Sequence, residues 1–252
     1  MAMQLPLPQE LIRAGVHVGH VKSKWNPQMA PFVFGVRNNI HIIDVYRTME
    51  QLEAAIEFLS DIRRRAGTIL FVGVKIQSRD SVKECAEKLE SPYVVGRWIG
   101  GLFTNFSVVK KRLAYLRELE EMVVSEDIEK YAKKEQLSFK RQLAKLDKEL
   151  GGIKQLSKLP DALVVSDVVE ERTAILEARK MKIPVVGLVD TDGDPAEVKY
   201  PIPTNTSARA ALQIIYSTLG DSLASVAAAP ETRNEEERPL TEEAQKKIKE
   251  AV

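Results

Sequence analysis

One cysteine, Cys85, occurs in the 252 residues, so no disulfide can close within the chain, and a reducing compartment suits it. It sits in the helical pattern Ser81–Leu89 and reads as a small packing residue. No apolar run approaches the roughly 18 residues a membrane helix needs. Met1-Ala2-Met3-Gln4-Leu5-Pro6 has neither the basic nor the apolar region of a secretory signal, and it is too poor in arginine for a transit peptide. No GxGxxG follows a strand and no GxxxxGK[ST] occurs. After Thr68–Val72 comes Gly73-Val74-Lys75-Ile76-Gln77-Ser78-Arg79, whose one glycine and two basic residues could hold a phosphate but are too sparse for a dinucleotide fingerprint. There is no GxSxG elbow and no Cys/His pair at zinc spacing, so neither a cofactor nor a small-molecule substrate is expected. No internal repeat is present.

Strong charge is also missing: the net is +1. Its distribution is uneven, with +6 over residues 1–115, −3 over 116–228 and −2 over 229–252. Such a split is compatible with one basic face turned to a polyanion.

What is present is an ordinary globular profile, 44% hydrophobic and 29% charged. Thr68–Val74, Ala162–Asp167 and Ile183–Asp190 are continuous apolar runs, the mark of strands covered on both faces of a parallel sheet. Helical patterns alternate with them, roughly Thr48–Arg65, Ser78–Lys88, Glu170–Lys180 and Ala208–Leu223. The alternation predicts an open α/β sheet with helices on both faces. Two strands end in aspartate, Asp167 and Asp190, at the carboxyl edge where such folds place their ligands.

From Asn105 to about Leu156 the pattern is charged helix only. Val109, Leu113 and Leu116 form one stripe, and Phe139, Leu143, Leu146 and Leu150 a second at coiled-coil spacing. With Ser125-Glu126-Asp127 as the break and Gly151-Gly152 as the close, an inserted antiparallel helical hairpin over 105–156 is expected. The α/β domain is then discontinuous, 1–104 and 157–228. The tail, 229–252, is Glu-, Arg- and Lys-rich without aromatics and is expected to be disordered or a loose helix.

Two loops carry the chemistry. In Arg97-Trp98-Ile99-Gly100-Gly101-Leu102-Phe103-Thr104-Asn105, two glycines allow positive φ and close approach. Thr104 or Asn105 can cap the following helix, whose N-terminus seats a phosphate. Lys110, Lys111 and Arg112 follow within about two turns. Trp98 is equally readable as core. In Gly19-His20-Val21-Lys22-Ser23-Lys24-Trp25-Asn26-Pro27, and in Phe34–Asn39 with Arg37 and Asn38, cations supply phosphate contacts and rings can stack on unpaired bases.

His17 and His20 are spaced by three but lie among valines and glycines. A strand would point them to opposite faces, so packing or an RNA contact is favoured over metal. His41 reads as a strand residue. Asp190, Asp192 and Asp194 begin like a calcium loop, but the required glutamate position is Pro201. Turns and caps account for those aspartates.

Taken in order, Gly15–His20, Trp25–Met29, Phe32–Asp44, Arg97–Asn105, Leu159–Leu163 and Ile183–Thr191 resemble the ribosomal protein S-two family of the small ribosomal subunit. Pro230–Val252 lies outside the resemblance. It implies a flavodoxin-like parallel sheet with an inserted helical hairpin, and a non-catalytic protein of the bacterial type in a cytoplasmic ribosome, or an organelle-encoded copy. It implies binding to small-subunit ribosomal RNA near the head–body junction, beside neighbouring ribosomal proteins. The large ribosomal S-one protein, where one is present, would be recruited nearby. In this reading Lys22, Lys24, Arg37, Arg97, Lys110 and Lys111 neutralise phosphates, Trp25 and Asn38 meet bases or shape, and Trp98 and Asn105 belong to the central contact loop. Many members have Gly-Asn-Asp-Asp where this chain has Thr204-Asn205-Thr206-Ser207, so no acidic or metal-assisted contact is expected there. The alternatives are a nucleotide- or sugar-phosphate-binding enzyme on the same fold, and a scaffold whose hairpin binds protein without RNA.

Overall fold

The computed structural model describes residues 5–124 and 130–226. The tail 229–252 and the break at Ser125-Glu126-Asp127 lie outside the described residues. A short helix, α1 (Pro8–Arg13), leads into an antiparallel sheet of β1 (Val18–Val21), β2 (Val33–Arg37) and β3 (Ile40–Ile43), ordered β1-β3-β2. Asp44 then caps α2 (Val45–Arg64) by accepting the Tyr46 N–H at 2.9 Å. The face of α2 carrying Leu52, Ala55, Ile56, Leu59 and Ile62 is buried, the i, i+3, i+4 stripe of a helix laid on a core.

The main body alternates: β4 (Ile69–Gly73), α3 (Arg79–Lys88), β5 (Tyr93–Val95), α4 (Phe106–Val124), α5 (Lys133–Leu150), β6 (Ala162–Val165), α6 (Arg172–Lys180), β7 (Val185–Val189), β8 (Tyr200–Pro203) and α7 (Arg209–Ala224). Five strands pair in parallel, in the order β5-β4-β6-β7-β8. Successive strand residues go to opposite faces. Ile69, Phe71, Ala162, Val164, Val186 and Leu188 pack with α2, α3 and α7, while Leu70, Val72, Leu163, Val165, Val185 and Val189 pack with α4 and α6. Both faces are therefore covered, which is why the three central strands are apolar at every position.

Strand order reverses between β4 and β6, and the carboxyl ends of all five strands open on one edge. Between β5 and β6, α4 buries Val109, Leu113, Leu116 and Leu119. Arg112 pairs with Glu149 at 3.2 Å and the Tyr115 hydroxyl meets Gln142 at 3.3 Å, so α4 and α5 run in opposite senses. On α5, Leu150 is buried and Leu143 and Leu146 are half-buried. The end of α5 runs into a 3-10 turn, Gly151–Ile153.

Candidate nucleic-acid interface

The loop after β5 is held from inside. Gly101 has φ +86°, a left-handed conformation that favours glycine. Trp98 turns inward to 9% exposure and meets Phe103 edge-on at 5.1 Å. Glu177 of α6 sits under the loop. Its Oε1 accepts Trp98 Nε1–H at 3.1 Å and Gly101 N–H at 2.8 Å. Its Oε2 accepts the N–H of Phe103 at 3.0 Å and of Thr104 at 3.3 Å, and the Thr104 hydroxyl at 3.4 Å. Burial alone would push this carboxyl up, but the Trp98 indole and the three backbone N–H groups outweigh it and hold it below the ordinary carboxylate range. Arg79 ties the same loop to its neighbour, donating to the carbonyls of Val74 at 3.1 Å and Gly96 at 3.4 Å. The outer surface carries Arg97, Gly100, Thr104, Asn105, Lys110 and Lys111, all exposed. Asn105 stands directly before α4, and its carbonyl accepts the Val109 N–H at 3.4 Å. Lys110 Nζ lies 5.3 Å over the Phe106 ring.

The N-terminal loop reaches the same edge farther along, at β7. Gly19 lies against Thr191, whose Oγ1 accepts the His20 N–H at 2.7 Å and whose carbonyl accepts the Asn26 N–H at 2.8 Å. Lys22 and Lys24 project from a 3-10 turn between these anchors and are exposed. Trp25 is half-buried and stacks on His41, with centroids 5.0 Å apart and planes at 20°. The β2–β3 turn uses Asn38 (φ 50°) and Asn39 (φ 64°), the paired left-handed residues of a two-residue hairpin. The Asn39 carbonyl accepts the Lys22 N–H at 3.0 Å, which brings Arg37 and Asn38 beside the lysine turn.

Between the two loops the edge is polar and internally paired. Lys75 forms an ion pair with Asp167, which also accepts the Thr206 hydroxyl at 2.7 Å. Burial lowers the Lys75 pKa, but the hydrogen bond and charge of Asp167, together with the nearby Glu170 and Asp192 carboxylates, outweigh it and hold the pKa above its ordinary value. Glu171 is buried and accepts the N–H of Val74 at 2.8 Å and of Asp167 at 2.6 Å. Burial raises its carboxyl to about 8. His20 Nδ1 lies 3.0 Å from Asp190 and 3.8 Å from Asp192, and the Asp190 contact raises the imidazole pKa. One donor atom from each of His20, Asp190 and Asp192 falls within 4.8 Å of the others, a set that could hold a cation. Asp190 also accepts the Thr206 N–H at 3.0 Å. Asp167, Glu171 and Asp190 on this edge are therefore partnered within the protein, and two loops that turn exposed cations outward flank them.

Residues 11–225, which contain both loops and the edge between them, match the family model described as Ribosomal protein S2. This chain belongs to that family. Two relatives, each named small ribosomal subunit protein uS2, come from strains of Thermus thermophilus. Each is 47% identical over 213 residues, 84% of this chain and 83% of the relative. A third, of the same name, comes from Amoebophilus asiaticus and is 44% identical over 215 residues, 85% of this chain and 69% of the relative. The ribosomal protein S2 family is one of ribosomal proteins, not enzymes. No helix among the described residues is long and apolar enough to cross a membrane.

In this S2-family chain the expected site residues fall into two groups. Lys22, Lys24, Arg37, Asn38, Arg97, Asn105, Lys110 and Lys111 are exposed on or beside the two loops. Trp98 faces Glu177 from inside the loop, and one face of Trp25 is taken by His41. Glu177, Arg79 and Thr191 were not expected. The partners of Glu177 and Thr191 lie many tens of residues away in the chain, those of Arg79 are Val74 and Gly96, and each by itself reads as an ordinary polar residue of a helix or turn.

Proposed function

We propose that the chain is a structural component of the small ribosomal subunit, bound to its RNA through the two cationic loops on the carboxyl edge of the parallel sheet. The observation that carries this is the contrast along that edge. Asp167 and Asp190 are taken up by internal partners, while Lys22, Lys24, Arg37, Arg97, Lys110 and Lys111 face outward. Six such contacts, each releasing counterions, correspond to a slope of about −5 in log affinity against log salt. Trp25 and Asn38 supply shape contacts, and Trp98 and Asn105 shape the central loop. The position is the head–body junction on the solvent side. Residues 1–104 and 157–228 form the body, and 105–156 form a coiled-coil hairpin that docks on RNA or neighbouring proteins.

A protein contact has its own surface. Ile12, His17, Phe34, Ile42, Ile43, Asp44, Val45 and Tyr46 line a mostly apolar groove of about 300 Å³, with Phe34 80% and Tyr46 69% exposed. Large exposed rings beside a groove suit a neighbouring ribosomal protein, including the large S-one protein where one is present.

Sucrose-gradient sedimentation of the tagged protein in lysate, at low and high salt, tests the reading. Cosedimentation with small subunits, weakened by salt and by Arg97→Ala with Lys24→Ala, is expected. A protein that stays at the top of the gradient at low salt overturns it.

A further inference from the structure

We propose that Glu177 is the positioning residue of the RNA-binding loop: its carboxylate gathers donors from Trp98, Gly101, Phe103 and Thr104 and so fixes the backbone that presents Arg97 and Gly100. This rests on the reading of that loop as an RNA contact.

Glu177 is 8% exposed and lies on α6 beside the fully buried Ala174 and Ala178. An apolar side chain there could pack, but it would leave the donors that Glu177 now accepts without a partner. A carboxylate does something packing cannot. It has two acceptor oxygens and no proton to donate, and it faces only donors: one indole N–H, three consecutive-region backbone N–H groups and a hydroxyl. Those backbone groups belong to a turn with no regular ladder of its own, so without Glu177 they would need water or another conformation. The bonds span residues 98–104 and leave the loop one arrangement.

The outer side of the loop supports the same role. Gly101 needs glycine for its φ of +86°, but Gly100 does not have a positive φ, and a Cβ on it would meet nothing within 4 Å. Nothing inside the protein requires Gly100 to lack a side chain. The open face there leaves room for a bound backbone to come close, and a surface that meets a phosphate chain that closely has to be held in place from behind.

The test is retention of the full-length protein on small ribosomal subunits depleted of it, titrated from about 50 to 200 mM salt. Glu177→Gln keeps the shape but turns an NH₂ toward the N–H groups. It is expected to lower the salt slope by about 1, as Arg97→Ala does, with no further fall in the double variant. A Glu177→Gln slope equal to that of the unaltered protein, alongside a reduced slope for Arg97→Ala, overturns the positioning role and leaves the loop as an RNA contact. An unchanged slope for Arg97→Ala itself overturns the RNA reading of the loop and the proposal with it. A second measurement does not depend on how the variants fold. Amide hydrogen exchange in the unaltered protein is expected to show Gly101, Phe103 and Thr104 protected like the core strands. Exchange at the rate of exposed loop amides overturns the proposal.

Discussion

A Cβ placed on Gly19 would lie 2.5 Å from the Thr191 methyl, so β1 and the loop after β7 meet with no room for a side chain between them. The contact is more than steric, because Thr191 Oγ1 also accepts the His20 N–H at 2.7 Å. It joins the small antiparallel sheet to the carboxyl edge of the large one and sets where Lys22 and Lys24 project. Gly19→Ala overpacks the contact and is expected to cost about 1–3 kcal/mol. Thr191→Val keeps the shape and removes the acceptor, leaving a part-buried N–H unpaired at a cost of about 1–3 kcal/mol. Urea unfolding of both variants measures this. Midpoints indistinguishable from the parent protein would show that the two sheets do not depend on this contact.

Gly100 and Gly101 are adjacent and are expected to behave oppositely. Gly101→Ala places a Cβ at φ +86° and is expected to lower stability by about 1–2 kcal/mol. Gly100→Ala meets open space and is expected to stay within about 0.5 kcal/mol of the parent. Its effect belongs to binding: retention on small subunits falls although the thermal midpoint does not move. Equal retention of Gly100→Ala and the parent would remove the case for a close backbone approach at this point.

The parts of the fold legible in the sequence were those fixed by one-dimensional pattern. Thr68–Val74, Ala162–Asp167 and Ile183–Asp190 are apolar throughout because β4, β6 and β7 are central and covered on both faces. The two remaining parallel strands were not read. Tyr93–Val95 has three residues, and Tyr200–Pro203 carries Pro201 and Pro203. Both are edge strands, where missing N–H donors are tolerated and apolar runs are unnecessary. The two loops announced themselves by composition, through clustered glycine, tryptophan and cations. Their supports did not, since Glu177 on α6 and Thr191 after β7 acquire their roles only when the chain folds. Asn38, read as a contact residue, also has a plain conformational duty in the β2–β3 turn.

Lys75 and Asp167 form the ion pair at the point where strand order reverses. Asp167 is 2% exposed, so Lys75→Met leaves a buried carboxylate without its cation, at an expected cost of about 3–5 kcal/mol. Adding Asp167→Asn removes the orphaned charge. The asparagine Oδ1 can still accept the Val169 N–H that Asp167 accepts at 2.8 Å, and its NH₂ can donate to the Thr206 hydroxyl oxygen. The double variant is therefore expected to be more stable than Lys75→Met alone, a coupling that a double-mutant cycle by denaturant unfolding measures. Additive losses would mean the pair is not coupled.

Glu171 gives the edge a pH dependence with a definite sign. Burial raises its carboxyl from the ordinary value of 4.5 to about 8. Between those values the folded protein holds a proton that the unfolded chain releases, so stability falls as pH rises. The contribution is fully present below about 4.5 and lost as pH passes through about 8, with a slope of at most about 1.4 kcal/mol per unit between. Other groups titrate in this range, so the informative quantity is the difference from Glu171→Gln, which cannot titrate. Denaturant unfolding of both proteins from pH 5 to pH 8 is expected to show the parent losing stability relative to the variant as pH rises. Parallel curves would mean that the Val74 and Asp167 N–H groups, which favour the carboxylate, outweigh burial and keep Glu171 ionised throughout.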